Sequence, residues 1–377
     1  MISPVLDAIP VKFEQFPPGY INDINGWAFD RETIEKNAGK LLTLDIDFGS
    51  RCSLNCPYCF RRGNSVDNVL RTLDYDDLVS LLKEAKELGL RSVKFLGAGE
   101  PFEAPMFLEF LRVCRNLDII PLIFTRGHVI GDDDEVSELY GQYGIRTGEQ
   151  LVEEVRKCNA SIMLGFNSFH DEVQKKMVGN GSDFIVKRDR ALTLLVDAGF
   201  NKVTPRATRL ALAVNPIIRW NLPDAFELYK WARSRNIYAI ITPPMISGRA
   251  RADGWERYMP SEAELVELYT RIYHFNIQTG LQSIQQISEE GISAYAGGHP
   301  CNQVACGLYV TLNGIVLSCP GDESNVEGNI WDHTLAYIWK HSSNRKRGGT
   351  FNCKCIAKDG KTIPTQLYDS VYSRLAT

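Results

Sequence analysis

No stretch of this 377-residue sequence approaches the roughly 18 consecutive apolar residues that a membrane-spanning helix needs. The N-terminus, Met1-Ile-Ser-Pro-Val-Leu-Asp-Ala-Ile-Pro10, lacks both a basic start and a continuous apolar segment, so no signal peptide is read there. Basic excess is missing too. Against 46 Asp and Glu stand 42 Lys and Arg, a formal net charge of -4 that offers no field to a phosphate backbone. Together these absences predict a cytoplasmic protein with neither membrane nor nucleic acid as partner. With 44% hydrophobic residues, the chain can bury the core of one large domain with a smaller one beside it.

Ten cysteines are present, and eight of them fall into two groups, at 52–59 and 301–355. In a chain with no export signal, clustered cysteines are metal or redox ligands more often than bridges. The first group, Cys52-Ser-Leu-Asn-Cys56-Pro-Tyr-Cys59-Phe60, has C-x3-C-x2-C spacing and follows the strand-like run Leu41–Phe48. Three thiolates on one short loop can wrap a soft metal centre. A closed zinc site wants four ligands, and this loop has no fourth. The residues leave two readings open: an incompletely ligated cluster, or zinc completed by a distant cysteine or histidine.

Five further apolar runs of strand length follow, at 92–96, 119–125, 161–166, 208–214 and 237–242. Helical periodicity lies between them. Leu78, Leu81, Leu82, Ala85 and Leu88 form one stripe, with Asp74 as N-cap and Gly89 as stop. Others run through Phe107–Leu117, Leu151–Cys158, Ile185–Leu195 and 222–235, and Ser261-x-x-Glu264 reads as a capping box. Cys114 and Cys158 share the period of their apolar neighbours and are read as core. Six strand–helix units predict parallel strands with right-handed crossovers. That count favours a partial (β/α)6 barrel over a closed one, with the loops after the strands as the working face. The acidic run Gly131–Glu135 is read as a solvated loop on that face. Expected divisions are a lead-in at 1–40, the barrel at 41–260, and a linker helix with a small cysteine-rich β-hairpin and helix extension at 261–377.

The loop spacing, with Tyr58 before the third cysteine, resembles the cluster loop of radical SAM enzymes. The resemblance implies a four-iron, four-sulfur (4Fe-4S) cluster on Cys52, Cys56 and Cys59, with one open iron chelating S-adenosylmethionine. Reductive cleavage of that cofactor to a 5′-deoxyadenosyl radical, which then abstracts a substrate hydrogen, is the implied chemistry. Leu96-Gly97-Ala98-Gly99-Glu100-Pro101 is similar to the family's Gly-Gly-Glu-Pro segment, which makes Gly97, Gly99 and Glu100 binders of the cofactor's amino group. Ala98 departs from the glycine pair. Phe60, Thr125, Asn167, Ser168 and Asn215 resemble further cofactor-binding positions; Phe60 is also readable as loop packing, and the others as strand-end turns or caps.

In the second group, Asn313-Gly314 between two apolar runs predicts a hairpin. Folding there pairs Leu312 with Ile315 and sets Tyr309 opposite Ser318. Cys306 and Cys319 then meet at the base, Cys301 arrives just before, and Cys353-Lys-Cys355 closes the group from downstream. The region resembles the SPASM or shorter twitch extension of radical SAM enzymes. That likeness implies one auxiliary 4Fe-4S cluster held by four of Cys301, Cys306, Cys319, Cys353 and Cys355; structural zinc is the alternative from ligand count alone. Asp322 resembles a family residue that serves as a base, although Pro-Gly-Asp-Glu is also a good turn.

The expected function is therefore a radical SAM oxidoreductase, carrying out oxidation, epimerisation or cross-linking. Its expected substrate is a small metabolite such as a sugar or aminocyclitol, because only 40 residues precede the barrel where peptide-modifying relatives carry a recognition domain. Maturation of a ribosomally made peptide or protein is the second reading, and a non-catalytic iron–sulfur or zinc scaffold the third. The resemblance also implies an external one-electron reductant of the flavodoxin or ferredoxin type.

Overall fold

In the computed structural model, the described residues are 3–16, 23–61, 71–179, 183–202, 208–252, 254–352 and 354–376. Six short buried strands form its centre: β1 (Thr43–Ile46), β2 (Ser92–Phe95), β3 (Ile120–Thr125), β4 (Ser161–Gly165), β5 (Leu210–Val214) and β6 (Tyr238–Ile241). Each pairs parallel with the next, so the six follow sequence order across the sheet. Helices Tyr75–Glu87, Phe107–Asn116, Gly148–Lys157, Phe184–Asp197 and Leu222–Arg233 make the crossovers. This is an α/β partial barrel. The strands alternate as the pleat requires. Leu44 and Ile46 of β1 join the core, while Asp45 between them lines the lumen with Phe124, Met163, Ala213 and Ile240.

Local signals account for the helix ends. The Asp74 side chain accepts from the Asp77 N–H and Asp77 returns the bond, a reciprocal box. Ser261 and Glu264 form another at the start of helix Glu262–Gln278. Gly89 stops the first helix at a φ of 108°, which a residue with a Cβ rarely adopts. Cys114 and Cys158 are fully buried in the core. The acidic run corrects a reading. Asp132 caps helix Asp133–Tyr140, whose first turn holds Asp133, Asp134 and Glu135, so the run lies at a positive helix end instead of in a solvated loop.

At the open edge beside β1 the sheet continues. Strand β7 (Gly307–Val310) lies parallel to β1, Thr43 opposite Gly307 through Ile46 opposite Val310. Antiparallel β8 (Ile315–Leu317) and β9 (Val326–Asn329) follow, completing nine strands. The hairpin forms where Asn-Gly predicts it, but one residue out of the expected register. Tyr309 faces Leu317 and Val310 faces Val316. Leu312 belongs to the turn, because its N–H is taken by Asp47 Oδ2 at 3.1 Å and its carbonyl by the Leu73 N–H. Gly314, at φ 80°, closes the turn onto Thr311 O. Of the lead-in, Trp27 reaches the lumen, in edge contact with Tyr295 at 5.1 Å.

Candidate active site

The loop after β1 presents Cys52, Cys56 and Cys59, half-buried, to one cavity on the C-terminal side of the barrel. That cavity encloses about 1780 Å³ of empty space open to solvent. Buried polar groups set the loop's shape. Glu103 Oε1 accepts the Ser53 N–H at 2.7 Å and its hydroxyl at 2.9 Å, and lies 3.0 Å from His128 Nε2. Burial pushes the Glu103 carboxyl up, but the bonds from His128 and Ser53 outweigh it and hold the pKa at about 2. On the other side the Tyr58 hydroxyl donates to Asn167 Oδ1 at 3.0 Å. Beyond the cysteines, Arg61 clasps Asp47 through Nε and Nη2, at 3.2 and 2.6 Å, and Tyr309 donates to the same carboxylate at 2.6 Å. The loop is thus bound to β1, to the β2 and β3 loops, and to the hairpin.

Gly97 and Gly99 line the cavity with Ala98 and Glu100. Gly97 adopts φ 74°. A Cβ at Gly99 would collide with the carbonyl of Arg51, so this glycine admits the cysteine loop's backbone as well as any ligand. Glu100 is buried. Its Oε1 accepts from Thr125 Oγ1 at 2.6 Å and its Oε2 from the Arg126 N–H at 2.9 Å. Burial raises its pKa, with His128 and these hydrogen bonds pulling it back. Arg126, which sequence reasoning passed over, lines the cavity; its Nη1 donates to Asn167 Oδ1 at 3.2 Å and its guanidinium stands 5.5 Å from the Tyr58 ring. Burial pushes the Cys52 thiol up to about 12, Glu100 adding to it, and raises Cys56 against the opposing pull of Arg126.

Phe60, Thr125 and Asn215 also lie on the cavity wall. Asn167 stands behind it as a hub, receiving Tyr58 and Arg126 and donating to Asn215 O at 3.2 Å. Ser168 turns away, its hydroxyl bonded to Asp224. Asp322 sits in a turn, accepting from Ser324 Oγ at 2.6 Å, while its neighbour Glu323 is the buried acid, bonded to Ser247 and the Gly248 N–H. Tyr58 shows its aromatic slot in the sequence. The Glu103–His128–Ser53 brace leaves no sequence signal, because its members lie on three loops.

Cys301, Cys319 and Cys355 line the same cavity. Cys306, buried beside them, donates to Asn302 O at 3.4 Å. Burial raises all four thiols, Cys306 to about 12 and Cys355 to about 11. Cys353 lies outside the described residues. None of the described cysteines is joined in a disulfide. Among the described residues, no three His, Cys, Asp or Glu side chains are spaced to hold a single metal ion. Both groups fit a larger metal centre in donor type: thiols kept protonated by burial release their protons to a metal, and soft thiolates suit iron–sulfur clusters.

Fold and site define a barrel protein with a three-cysteine loop after its first strand, lining one cavity together with a second cysteine group. Residues 46–208 match the Radical SAM superfamily, and this barrel region belongs to it. Among curated proteins it resembles the PqqA peptide cyclase of Gluconobacter oxydans, 32% identical over 98 residues, or 26% of each chain. The match thus spans about a quarter of that relative's length. The fold is similar to Streptococcus suis SuiB bound to precursor peptide SuiA, with a TM-score of 0.55, 16% identity, and 82% of this chain and 67% of SuiB covered. It is similar also to anSMEcpe with bound AdoMet, with a TM-score of 0.59, 16% identity, and 89% and 93% covered. No helix among the described residues is long and apolar enough to cross a membrane.

Proposed function

We propose that this chain holds an open 4Fe-4S cluster on Cys52, Cys56 and Cys59, binds S-adenosylmethionine beside it, and abstracts a hydrogen from a substrate seated in the same cavity. The observation that carries this reading is that the three cysteines line one cavity with Glu100 and Arg126. Cluster and cofactor together would supply reductive cleavage to a 5′-deoxyadenosyl radical. The chain's own residues hold and orient. Glu100 keeps acceptor capacity beyond the Thr125, Phe102 and Arg126 donors, since a carboxylate offers about four lone-pair sites, and would take the cofactor's ammonium. Gly97 and Gly99 would let backbone approach that ligand, and Phe60 would flank it. The apolar side chains of the lumen would limit water beside a reactive carbon centre.

Cys301, Cys306, Cys319 and Cys355 would hold one auxiliary 4Fe-4S cluster, with Cys355 as the described candidate for fourth ligand. The outcome is oxidation, epimerisation or cross-linking, with electrons entering from an external flavodoxin- or ferredoxin-type partner. A small metabolite of the sugar or aminocyclitol class is the first substrate reading. A peptide is the second, favoured by the likeness to SuiB bound to its precursor peptide and to a peptide cyclase. The test is release of 5′-deoxyadenosine by the anaerobically reconstituted chain with S-adenosylmethionine and dithionite. Wild type should release it, and alanine at Cys52, Cys56 and Cys59 should abolish it. Release that survives in the alanine variant would sink the proposal.

A further inference from the structure

The stretch from His333 to Lys358 carries six Lys and Arg and no Asp or Glu, within a chain whose net charge is -4. Four of these cations, Lys340, Arg345, Lys346 and Arg347, are exposed and lie on or next to helices Leu335–His341 and Ser343–Lys346. Among the described residues none of the four forms an ion pair, whereas Lys36, Arg156, Lys157 and Lys230 elsewhere on the surface all do. Glu84 and Glu327 reach the two helices, but as caps. Glu84 accepts the Leu335 and Ala336 N–H groups at 3.1 and 2.9 Å, and Glu327 accepts the Ser343 N–H at 2.9 Å. The patch presents unbalanced positive charge to solvent.

Asn344, fully buried between Ser343 and Arg345, joins this patch to the second cysteine group. Its Nδ2 donates to Ser318 O, the carbonyl of the peptide bond leading into Cys319, and to Gly307 O, next to Cys306, both at 2.8 Å. Helix Ser343–Lys346 also packs on helix Gln303–Cys306, which ends in one of those cysteines. We propose that Lys340, Arg345, Lys346 and Arg347 form the docking patch for an acidic carrier protein that exchanges single electrons with the auxiliary centre. Complementary charge steers such encounters and raises their rate, and redox partners manage with small interfaces. Electron transfer falls steeply with distance, which favours a surface whose backbone leads straight to the cysteines. The inference rests on the auxiliary-cluster reading and adds the partner that reaches that cluster.

The Cys52, Cys56 and Cys59 alanine variant, reconstituted to about four irons, isolates the auxiliary cluster for the test. The probe is flavodoxin in its hydroquinone form, an acidic carrier. Each molecule gives one electron to an oxidised cluster and is left as its semiquinone, with no bond made or broken. Calorimetry reads its affinity, and stopped-flow absorbance of the semiquinone reads the transfer rate. Affinity and rate should both fall about tenfold or more between about 50 and 500 mM NaCl. At the lower salt, Arg345→Gln, Lys346→Gln and Arg347→Gln together should lower both about tenfold or more, while Arg345→Lys with Arg347→Lys should stay near the parent. Glutamine at Arg156, Lys157 and Lys230 removes the same charge elsewhere and should change either by about twofold or less. Iron content and reduction by dithionite serve as the folding check. A triple variant within about twofold of its parent in both measurements would overturn the proposal. So would an equal loss at the distant trio, or no binding of flavodoxin at low salt. A chain that keeps no iron once Cys52, Cys56 and Cys59 are alanine would instead count against the auxiliary cluster itself.

Discussion

Arg126 places a half-buried positive charge beside the cysteine loop, where it pulls on the Cys56 thiol and faces the Tyr58 ring. A cation next to a metal centre stabilises its reduced, more negative form, and burial strengthens the effect by removing solvent screening. Arg126→Gln keeps a donor for Asn167 and removes the charge. We expect a cluster midpoint potential more negative than wild type in an EPR-monitored titration; an unchanged or more positive potential would show that the guanidinium only shapes the loop. At this scale the sequence was half legible. The cysteines and Glu100 stand in spacings that the chemistry demands. Arg126 occupies a slot where nothing local distinguishes a half-buried cation from a solvated one.

At the scale of elements, the link between β1 and β7 joins the two cysteine groups. Asp47 holds Arg61 after the first group, Tyr309 of β7 and the Leu312 N–H of the hairpin turn. Arg61 and Asp47 are fully buried, so removing one charge strands the other. Asp47→Asn should cost about 3 kcal/mol in denaturant unfolding of the metal-free chain, and adding Arg61→Met should restore part of that loss. A double variant no better than the single would mean that the carboxylate acts through the hairpin alone. Strands and helices were readable because their periodicity is local: the six barrel strands, the N-cap at Asp74 and the capping box at Ser261 fall where the pattern puts them. The hairpin's register was not, because it is decided by a hydrogen bond from Leu312 to a residue 265 positions earlier in the chain. Nor does any local pattern announce that β7 extends the barrel sheet.

Over the whole molecule, a carboxylate beside the start of β5 carries a charge that burial disfavours. Asp23 has a pKa raised to about 6, chiefly by burial, with His299 opposing and Glu290 adding. An unfolded aspartate titrates near about 3.9. Between these values the folded state binds the extra proton, so this group's stability contribution is full below about pH 4 and is lost as pH rises through about 6. Asp23→Asn should remove that slope. The metal-free variant should gain about 2 kcal/mol relative to wild type on going from pH 4 to 7, read from urea unfolding at each pH; parallel profiles would refute the assignment. The opposite end of the barrel carries the central claim, that three cysteines of the β1 loop and four from the hairpin region hold two separate iron–sulfur centres across one cavity. Iron and zinc analysis of the anaerobically reconstituted chain tests it most directly. The account predicts about eight irons per wild-type chain, about four when Cys52, Cys56 and Cys59 are alanine, and about four when Cys306 and Cys319 are alanine. Stoichiometric zinc with no visible charge-transfer absorption, or full iron in either variant, would contradict it.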